Sequence, residues 1–163
     1  MLRITKAEDQ AVRLVMRLAT GGRQMTLGQL AEHEALPEPT VAKLLGLLRR
    51  GGVVEAIRGR HGGYVLSRNP ADIPVAEVLR ALGTDPVSDH PCVSDPDNGG
   101  DCPRTEDCGL RAVWRHLQNQ VNGLLENTTM ADLLRVEASV GGRMHQIWPA
   151  ETSGPETTRA QGA

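Results

Sequence analysis

Residues 26–68, TLGQLAEHEALPEPTVAKLLGLLRRGGVVEAIRGRHGGYVLSR, contain two short amphipathic segments followed by a basic, glycine-rich turn. The T-x-x-Q pattern at Thr26 is typical of a capping box, and it predicts a short helix that ends before Pro37. Pro37 and Pro39 predict an extended turn and the start of a second helix over residues 39–50. Two short helices joined by a tight turn predict a helix-turn-helix.

The residues that follow predict a β-hairpin. Two runs of strand-forming residues, 53–57 and 64–66, flank the turn RGRHGG at residues 58–63. Short runs of this kind on either side of a glycine-rich turn are typical of a hairpin. A hairpin directly after a helix-turn-helix is a wing, so the segment predicts a winged helix.

Further helices are predicted on both sides of the winged helix. The T-x-x-E pattern at Thr5 and an apolar stripe predict a helix over residues 6–20, and PVAEVLRAL predicts another over 74–82. A long helix is predicted over residues 106–126 and a short one after Thr129. In the long helix apolar residues recur at alternating spacings of four and three, at Leu110, Trp114, Leu117, Val121 and Leu124. Such a seam favours pairing with a second copy of the helix, and the alternative is packing within its own domain.

The expected fold class is therefore mainly α with a small β-hairpin: a winged helix-turn-helix plus a long C-terminal dimerisation helix. The expected division is a DNA-binding domain over residues 1–83, a cysteine-bearing loop over 84–108, the dimerisation helix and a short terminal helix over 109–140, and a disordered tail over 141–163.

Charge is distributed unevenly along the chain. Residues 1–70 contain eleven Lys and Arg against six Asp and Glu, whereas residues 71–163 contain seven against fourteen. A basic half indicates a polyanion partner. Single-strand binders usually need aromatic stacking residues, and this chain has two Trp, one Tyr and no Phe, which favours duplex DNA.

Other features narrow the class of protein. No long apolar run and no signal-peptide pattern is present, so we expect a cytoplasmic protein without a membrane partner. No nucleophile and base pairing, phosphate-binding loop or dinucleotide fingerprint is found, so an enzyme is not expected.

The expected DNA contacts lie on the second helix of the pair and on the wing. The apolar stripe of that helix turns its other side outward, and the wing tip can enter a neighbouring groove. The candidates are Thr26, Pro39, Thr40, Lys43, Arg50, Arg58, Arg60 and His61. The alternative for any one of them is an ordinary solvated basic face.

All three cysteines fall within HPCVSDPDNGGDCPRTEDC, residues 90–108. The gaps from Cys92 to Cys102 and from Cys102 to Cys108 are longer than those of zinc knuckles and of C-x-x-C redox motifs. Long gaps suit ligands that surround an iron-sulfur cluster. Two alternatives stay open: a zinc site that includes His90, and cysteines that act as thiol sensors without a metal.

The order of these parts resembles the family of winged-helix regulators that includes IscR, NsrR, RirA and RsrR, over about residues 2–135. The resemblance is carried by LRITKAEDQAVRLVMRLA, RGRHGGYVLSR, PVAEVLRAL, the three cysteines and TTMADLL. It implies a homodimeric transcription factor, usually a repressor of operator DNA. It also implies an iron-sulfur cluster near the dimer interface that changes DNA affinity when it is damaged by nitric oxide, oxidants or iron shortage.

The resemblance implies that Cys92, Cys102 and Cys108 are cluster ligands, in a four-iron cluster rather than a two-iron one. The position at which IscR-like members have a ligand histidine is Arg111, and the Glu and His pair of RsrR-like members is missing from the first helix. NsrR-like members use an aspartate of the first helix, donated by the other subunit.

Alignment of the first helix with the NsrR-like members places this aspartate at Asp9, which is therefore the expected fourth ligand. Glu8 and His90 are the other candidates for that position. The alternative role of Asp9 is an ion pair with Arg13, four residues further along the same helix.

Overall fold

The computed structural model describes residues 4–21, 24–60, 62–84 and 109–138. Within these ranges the helices are α1 (Lys6–Gly21), α2 (Leu27–Glu34), α3 (Glu38–Arg50), α4 (Val75–Ala81), α5 (Gly109–Asn127) and α6 (Met130–Ala138). The strands are β1 (Val54–Ile57) and β2 (Gly63–Leu66), and a 3₁₀ turn spans Pro70–Asp72. The predicted fold class, a helical winged helix-turn-helix with a small hairpin, is confirmed.

Capping boxes begin three of the helices, because a threonine and the residue three positions later bond to each other's backbone. At α2 the Gln29 N–H donates to Thr26 Oγ1 over 3.2 Å, and the Thr26 N–H donates to Gln29 Oε1 over 2.9 Å. Thr5 and Glu8 form the same arrangement at α1, and Thr129 forms it with Asp132 at α6. These starts are encoded locally, which is why the sequence predicted them.

One apolar core joins α1, α2, α3 and α4 with both strands of the hairpin. Val54 of β1 is buried in it, and Tyr64 and Leu66 of β2 are partly buried against it. The buried residues include Ala11, Leu14, Val15, Leu18, Leu30, Val41, Leu44, Leu45, Leu48, Val53, Ile73, Val78 and Met130. Met130 comes from the first turn of α6 and is fully buried. Backbone hydrogen bonds secure it there, since the Met130 N–H donates to the Ile73 carbonyl over 2.9 Å. The terminal helix therefore packs on the winged helix, against α1 and the 3₁₀ turn.

The hairpin is attached to the body as well as to itself. Its strands are antiparallel, with Val54 opposite Leu66. Tyr64 exchanges two backbone hydrogen bonds with Met25, of 2.7 and 3.0 Å, so a residue before α2 extends the wing. A Cβ on Gly63 would lie 2.6 Å from the Met25 carbonyl oxygen, so this close approach requires glycine. The wing is thereby fixed relative to the helix-turn-helix.

Helix α5 has no buried residue, and it contacts the body through α4 near its C-terminal end. There Glu126 pairs with Arg80 and Leu125 packs against the core. Toward the other end, Leu110, Val113 and Leu117 are 57%, 60% and 44% exposed. They are spaced three and four residues apart and form an apolar face that is solvent-exposed within the chain. No helix of the described ranges meets the length and apolarity needed to cross a membrane.

The turn between α2 and α3 contains a testable backbone feature. Ala35 ends α2 with φ 51° and ψ 45°, and it is the non-glycine residue with a positive φ in the described residues. We expect Ala35→Gly to raise the free energy of unfolding by roughly 0.5–1 kcal/mol, because glycine adopts the left-handed conformation without steric cost. Urea denaturation measures this change.

Ala42→Gly is the matched control for that substitution. Ala42 is also exposed, but it lies inside α3, where glycine should lower the free energy of unfolding by about 1 kcal/mol. A decrease in both variants would contradict the strain assigned to Ala35.

Candidate nucleic-acid interface and ligand residues

Helix α3 buries one face and exposes the other. Val41, Leu44, Leu45 and Leu48 lie in the core, and the side chains on the opposite side face solvent: Pro39, Ala42, Lys43, Arg49 and Arg50. A helix held by one apolar stripe can insert its free face into the major groove of DNA.

Most of the predicted DNA contacts are exposed on α3 and at the hairpin turn. Pro39, Lys43 and Arg50 are exposed on α3, Thr40 is half-buried in its first turn, and Arg58 and Arg60 are exposed at the hairpin turn. Thr26 is exposed, and its hydroxyl caps α2. His61 lies outside the described residues. Sequence reasoning missed Arg49, although the apolar stripe of α3 already implied its exposure.

Ion pairs are concentrated on the body of the protein in the described ranges. On the body, Arg13 and Arg17 pair with Glu34, Arg68 with Glu77, Arg80 with Glu126, and Arg135 with Asp132. On α3 and the hairpin, the basic side chains form no ion pair with any carboxylate in the part of the chain that the structure describes: Lys43, Arg49, Arg50, Arg58 and Arg60. Uncompensated cations on a protruding helix and hairpin are suited to phosphate groups.

A buried carboxylate connects α1 to the helix-turn-helix. Glu34, at the end of α2, is 5% exposed and accepts hydrogen bonds from Arg13 Nε at 2.9 Å and Arg17 Nε at 2.8 Å. Arg13 also donates to the Glu34 backbone carbonyl over 3.3 Å. Sequence reasoning missed this cluster, because its members are 17 and 21 residues apart and follow no local pattern.

Asp9 is accessible and only weakly engaged. Its side chain is 61% exposed, and its nearest cation is Arg13, whose Nη1 is 4.0 Å from Oδ2. The same guanidinium is closer to Glu34, at 2.8 Å. An exposed pair at this distance contributes little, so the carboxylate of Asp9 can accept a stronger partner at small cost.

Glu8, the neighbouring carboxylate, is in a different environment. It is 2% exposed, and burial alone would raise its pKa. Hydrogen bonds from the Thr5 backbone and from the Thr84 and Thr5 side chains outweigh that effect, so the pKa of Glu8 is lowered. Its carboxylate is therefore ionised and already occupied in fastening the start of α1 to the end of α4.

Cys92, Cys102, Cys108 and His90 lie outside the described residues, but the structure places the two ends of their segment. Thr84 lies beside α1 and lines a small cavity with Asn122 of α5. Gly109, which follows Cys108 in sequence, begins α5. Asn122 is thirteen positions after Gly109 in the same helix, so the two residues are about 20 Å apart along the helix axis.

Comparisons with known proteins are consistent over most of the chain. A profile of the Rrf2 family, described as iron-dependent transcriptional regulators, matches residues 4–136. The chain is 35% identical over 136 residues to Rv1287 of Mycobacterium tuberculosis, a protein named as an HTH-type transcriptional regulator. The aligned residues cover 81% of this chain and 81% of that protein.

Two solved structures are also similar. T. potens IscR superposes with a TM-score of 0.66 and 28% identity, over 88% of this chain and 96% of that one. CymR, the global cysteine regulator of B. subtilis, superposes with a TM-score of 0.68 and 27% identity, over 83% and 98%.

The unpaired cations make a quantitative prediction about binding to duplex DNA. Lys43→Ala and Arg60→Ala should each weaken binding and reduce the slope of log K against log salt concentration by about one, because each removes one phosphate contact. Titration of a fluorescent 30-base-pair duplex at several salt concentrations measures this slope. Arg135→Ala is the control, since Arg135 pairs with Asp132 on α6, and it should keep the wild-type slope. Equal slopes in all four proteins would contradict the assigned surface.

Proposed function

The chain belongs to the Rrf2 family of transcriptional regulators, and we propose that it is a homodimeric repressor whose affinity for operator DNA is set by an iron-sulfur cluster that senses nitric oxide, redox state or iron supply. The observation that carries the DNA-binding part is the separation of charge. Five arginines of the body form ion pairs, whereas the cations of α3 and the hairpin form none within the described residues and are left for phosphates.

DNA recognition follows from the geometry of the two elements. The exposed face of α3 enters the major groove, and the hairpin with Arg58 and Arg60 reaches an adjacent groove. The bridge between Tyr64 and Met25 holds the hairpin against the helix-turn-helix, so both elements approach DNA as one rigid surface.

A homodimer is supported by the exposed apolar face of α5. Leu110, Val113 and Leu117 would be costly to leave in water, and a second copy of the helix supplies a matching surface. Two-fold pairing through α5 would present two α3 helices to half-sites about one helical turn apart. Binding to both half-sites then depends on the spacing set by the dimer.

The donor set fits an iron-sulfur cluster. Cys92, Cys102 and Cys108 supply three thiolates, the family is described as iron-dependent, and Asp9 offers an exposed carboxylate for the remaining position. In one chain Asp9 follows Glu8, whose carboxylate bonds to Thr84 before the cysteine segment. Gly109, the residue after that segment, begins α5 about 20 Å along the helix axis from Asn122, which lines a cavity with Thr84. That separation favours Asp9 donated from the other subunit.

A bound cluster would supply iron that small molecules such as nitric oxide can attack, most easily at a carboxylate-held iron. The response within the chain would then start at Asp9. The Asp9 carboxylate is 4.0 Å from Arg13, which also binds Glu34 at the end of α2, so a change in what Asp9 binds would change the charge beside Arg13. A change in the position of the Arg13 side chain would act on the turn before α3, because Arg13 bonds to the side chain and the backbone carbonyl of Glu34. A shift of a few ångströms in the two α3 helices breaks simultaneous contact with both half-sites.

The ligand assignment predicts the behaviour of two single variants. Asp9→Ala should shorten the lifetime of the visible chromophore in air, because it removes one ligand, and His90→Ala should leave that lifetime close to wild type. Absorbance of anaerobically purified protein, with iron and sulfide assays, measures this. The reverse order would place the fourth ligand within the cysteine segment, and a colourless protein with one zinc per chain would contradict the cluster.

Mixed dimers test donation across the interface. Asp9→Ala and Cys102→Ala chains, carrying different affinity tags, are co-expressed and the heterodimer is isolated. Donation in trans leaves one complete ligand set in the heterodimer, so one wild-type cluster per dimer is expected. Donation in cis leaves none, so a heterodimer no better than the two homodimers would contradict the arrangement.

A further inference from the structure

The exposed face of α3 has a restricted hydrogen-bonding chemistry. Lys43, Arg49 and Arg50 are donors without acceptor atoms, and Pro39 and Ala42 are apolar. The helix contains neither Asn nor Gln. Its one carboxylate, Glu38, is exposed in the first turn, before Lys43 and Ala42, and its Oε1 is 3.4 Å from where a Cβ on Gly28 of α2 would lie. Thr40, the remaining polar residue, is half-buried.

This chemistry limits which base edges the helix can bind directly. In the major groove guanine presents two acceptors, N7 and O6, and thymine presents a methyl group and one acceptor. Adenine presents a single acceptor, N7, beside an amino group, and cytosine presents an amino group. The usual partners of these amino groups are the side chains of Asn, Gln, Asp and Glu, whereas guanine is the base with two acceptors for a donor such as Lys. Lys43 therefore matches guanine, and Ala42, its neighbour on the exposed face, matches a thymine methyl group.

Gly46 lies one turn beyond Ala42 on the same side of α3. Glycine in a helix interior is destabilising relative to alanine, so its presence there calls for a reason. A Cβ at this position would meet no atom within 4 Å, so packing within the described chain does not require glycine. A surface that comes close only on binding would require it.

We propose that α3 recognises guanine and thymine edges, through Lys43 and Ala42 respectively, and that Gly46 is the position where the helix backbone comes nearest to the DNA. The proposal rests on the proposed function, because it assumes that α3 occupies the major groove. It adds a rule for the operator: each half-site has guanine and thymine at the positions that α3 covers, and the amino groups of adenine and cytosine there are not bound.

The test begins with a library of randomised DNA duplexes, from which the anaerobically purified full-length protein selects its best ligands. Base analogues are then placed one at a time in the selected duplex. Replacing one guanine by 7-deazaguanine should weaken binding by about tenfold, and replacing one thymine by deoxyuridine should weaken it by several-fold. Replacing adenine by purine, which lacks the 6-amino group, should change binding less than twofold.

Two variants test the residues. Lys43→Gln introduces an amide, whose oxygen accepts from the amino group of adenine. The base that the protein prefers at the guanine position should therefore change toward adenine. Gly46→Ala should raise the thermal midpoint by about 2–4 °C, while it weakens DNA binding by about fivefold or more. Gly123→Ala is the control, because Gly123 is likewise inside a helix with nothing within 4 Å of its Cβ position, and it should gain stability without a change in binding.

The outcomes separate this proposal from the function it rests on. If no duplex is enriched over the starting library, both are overturned. If a duplex is enriched but the purine substitution weakens binding tenfold within the region covered by α3, the base assignment is wrong and DNA binding stands. If Gly46→Ala is stabilised and binds as tightly as wild type, close approach at Gly46 is overturned.

Discussion

The buried carboxylate of Glu34, held between Arg13 and Arg17, is the interaction on which the arrangement of the molecule depends. Burying a carboxylate to 5% exposure is costly without hydrogen-bonding partners, and both of its partners come from α1. The cluster fixes the end of α2 against α1, and the turn to α3 begins at the next residue. Its arginines are half-exposed, so it is also a place where a small change at the surface can reach the helix-turn-helix.

Charge organises the rest of the surface. Arginines of the body form ion pairs that join α1 to α2, the end of β2 to α4, and α4 to α5. The basic side chains of α3 and the hairpin form no such pairs within the described residues. A chain with a formal net charge of −2 can therefore present a locally basic surface to DNA. Net charge alone would have given a misleading picture of its partner.

Sequence patterns predicted the local features and failed at the long-range ones. Thr26 with Gln29 and Thr5 with Glu8 act over three residues, so the helix starts could be inferred directly. The bridge from Met25 to Tyr64 and the burial of Met130 join distant segments, and no local period encodes them. Asp9 and Glu8 are adjacent in sequence. The capping pattern at Thr5 assigned Glu8 to the start of α1, which left Asp9 as the preferred ligand candidate. The buried contact of Glu8 with Thr84 could not be foreseen, because it depends on how α4 packs against α1.

We propose that the ligand state at Asp9 sets the affinity of α3 for DNA. The most direct test follows visible absorbance and DNA affinity in the same anaerobic sample, during titration of the protein and a selected duplex with nitric oxide. If so, Kd rises at least about tenfold as the chromophore is lost, a coupling in the usual range for a ligand-controlled switch, and Asp9→Ala starts with a raised Kd. A chromophore that disappears while Kd stays constant in the wild type would contradict it.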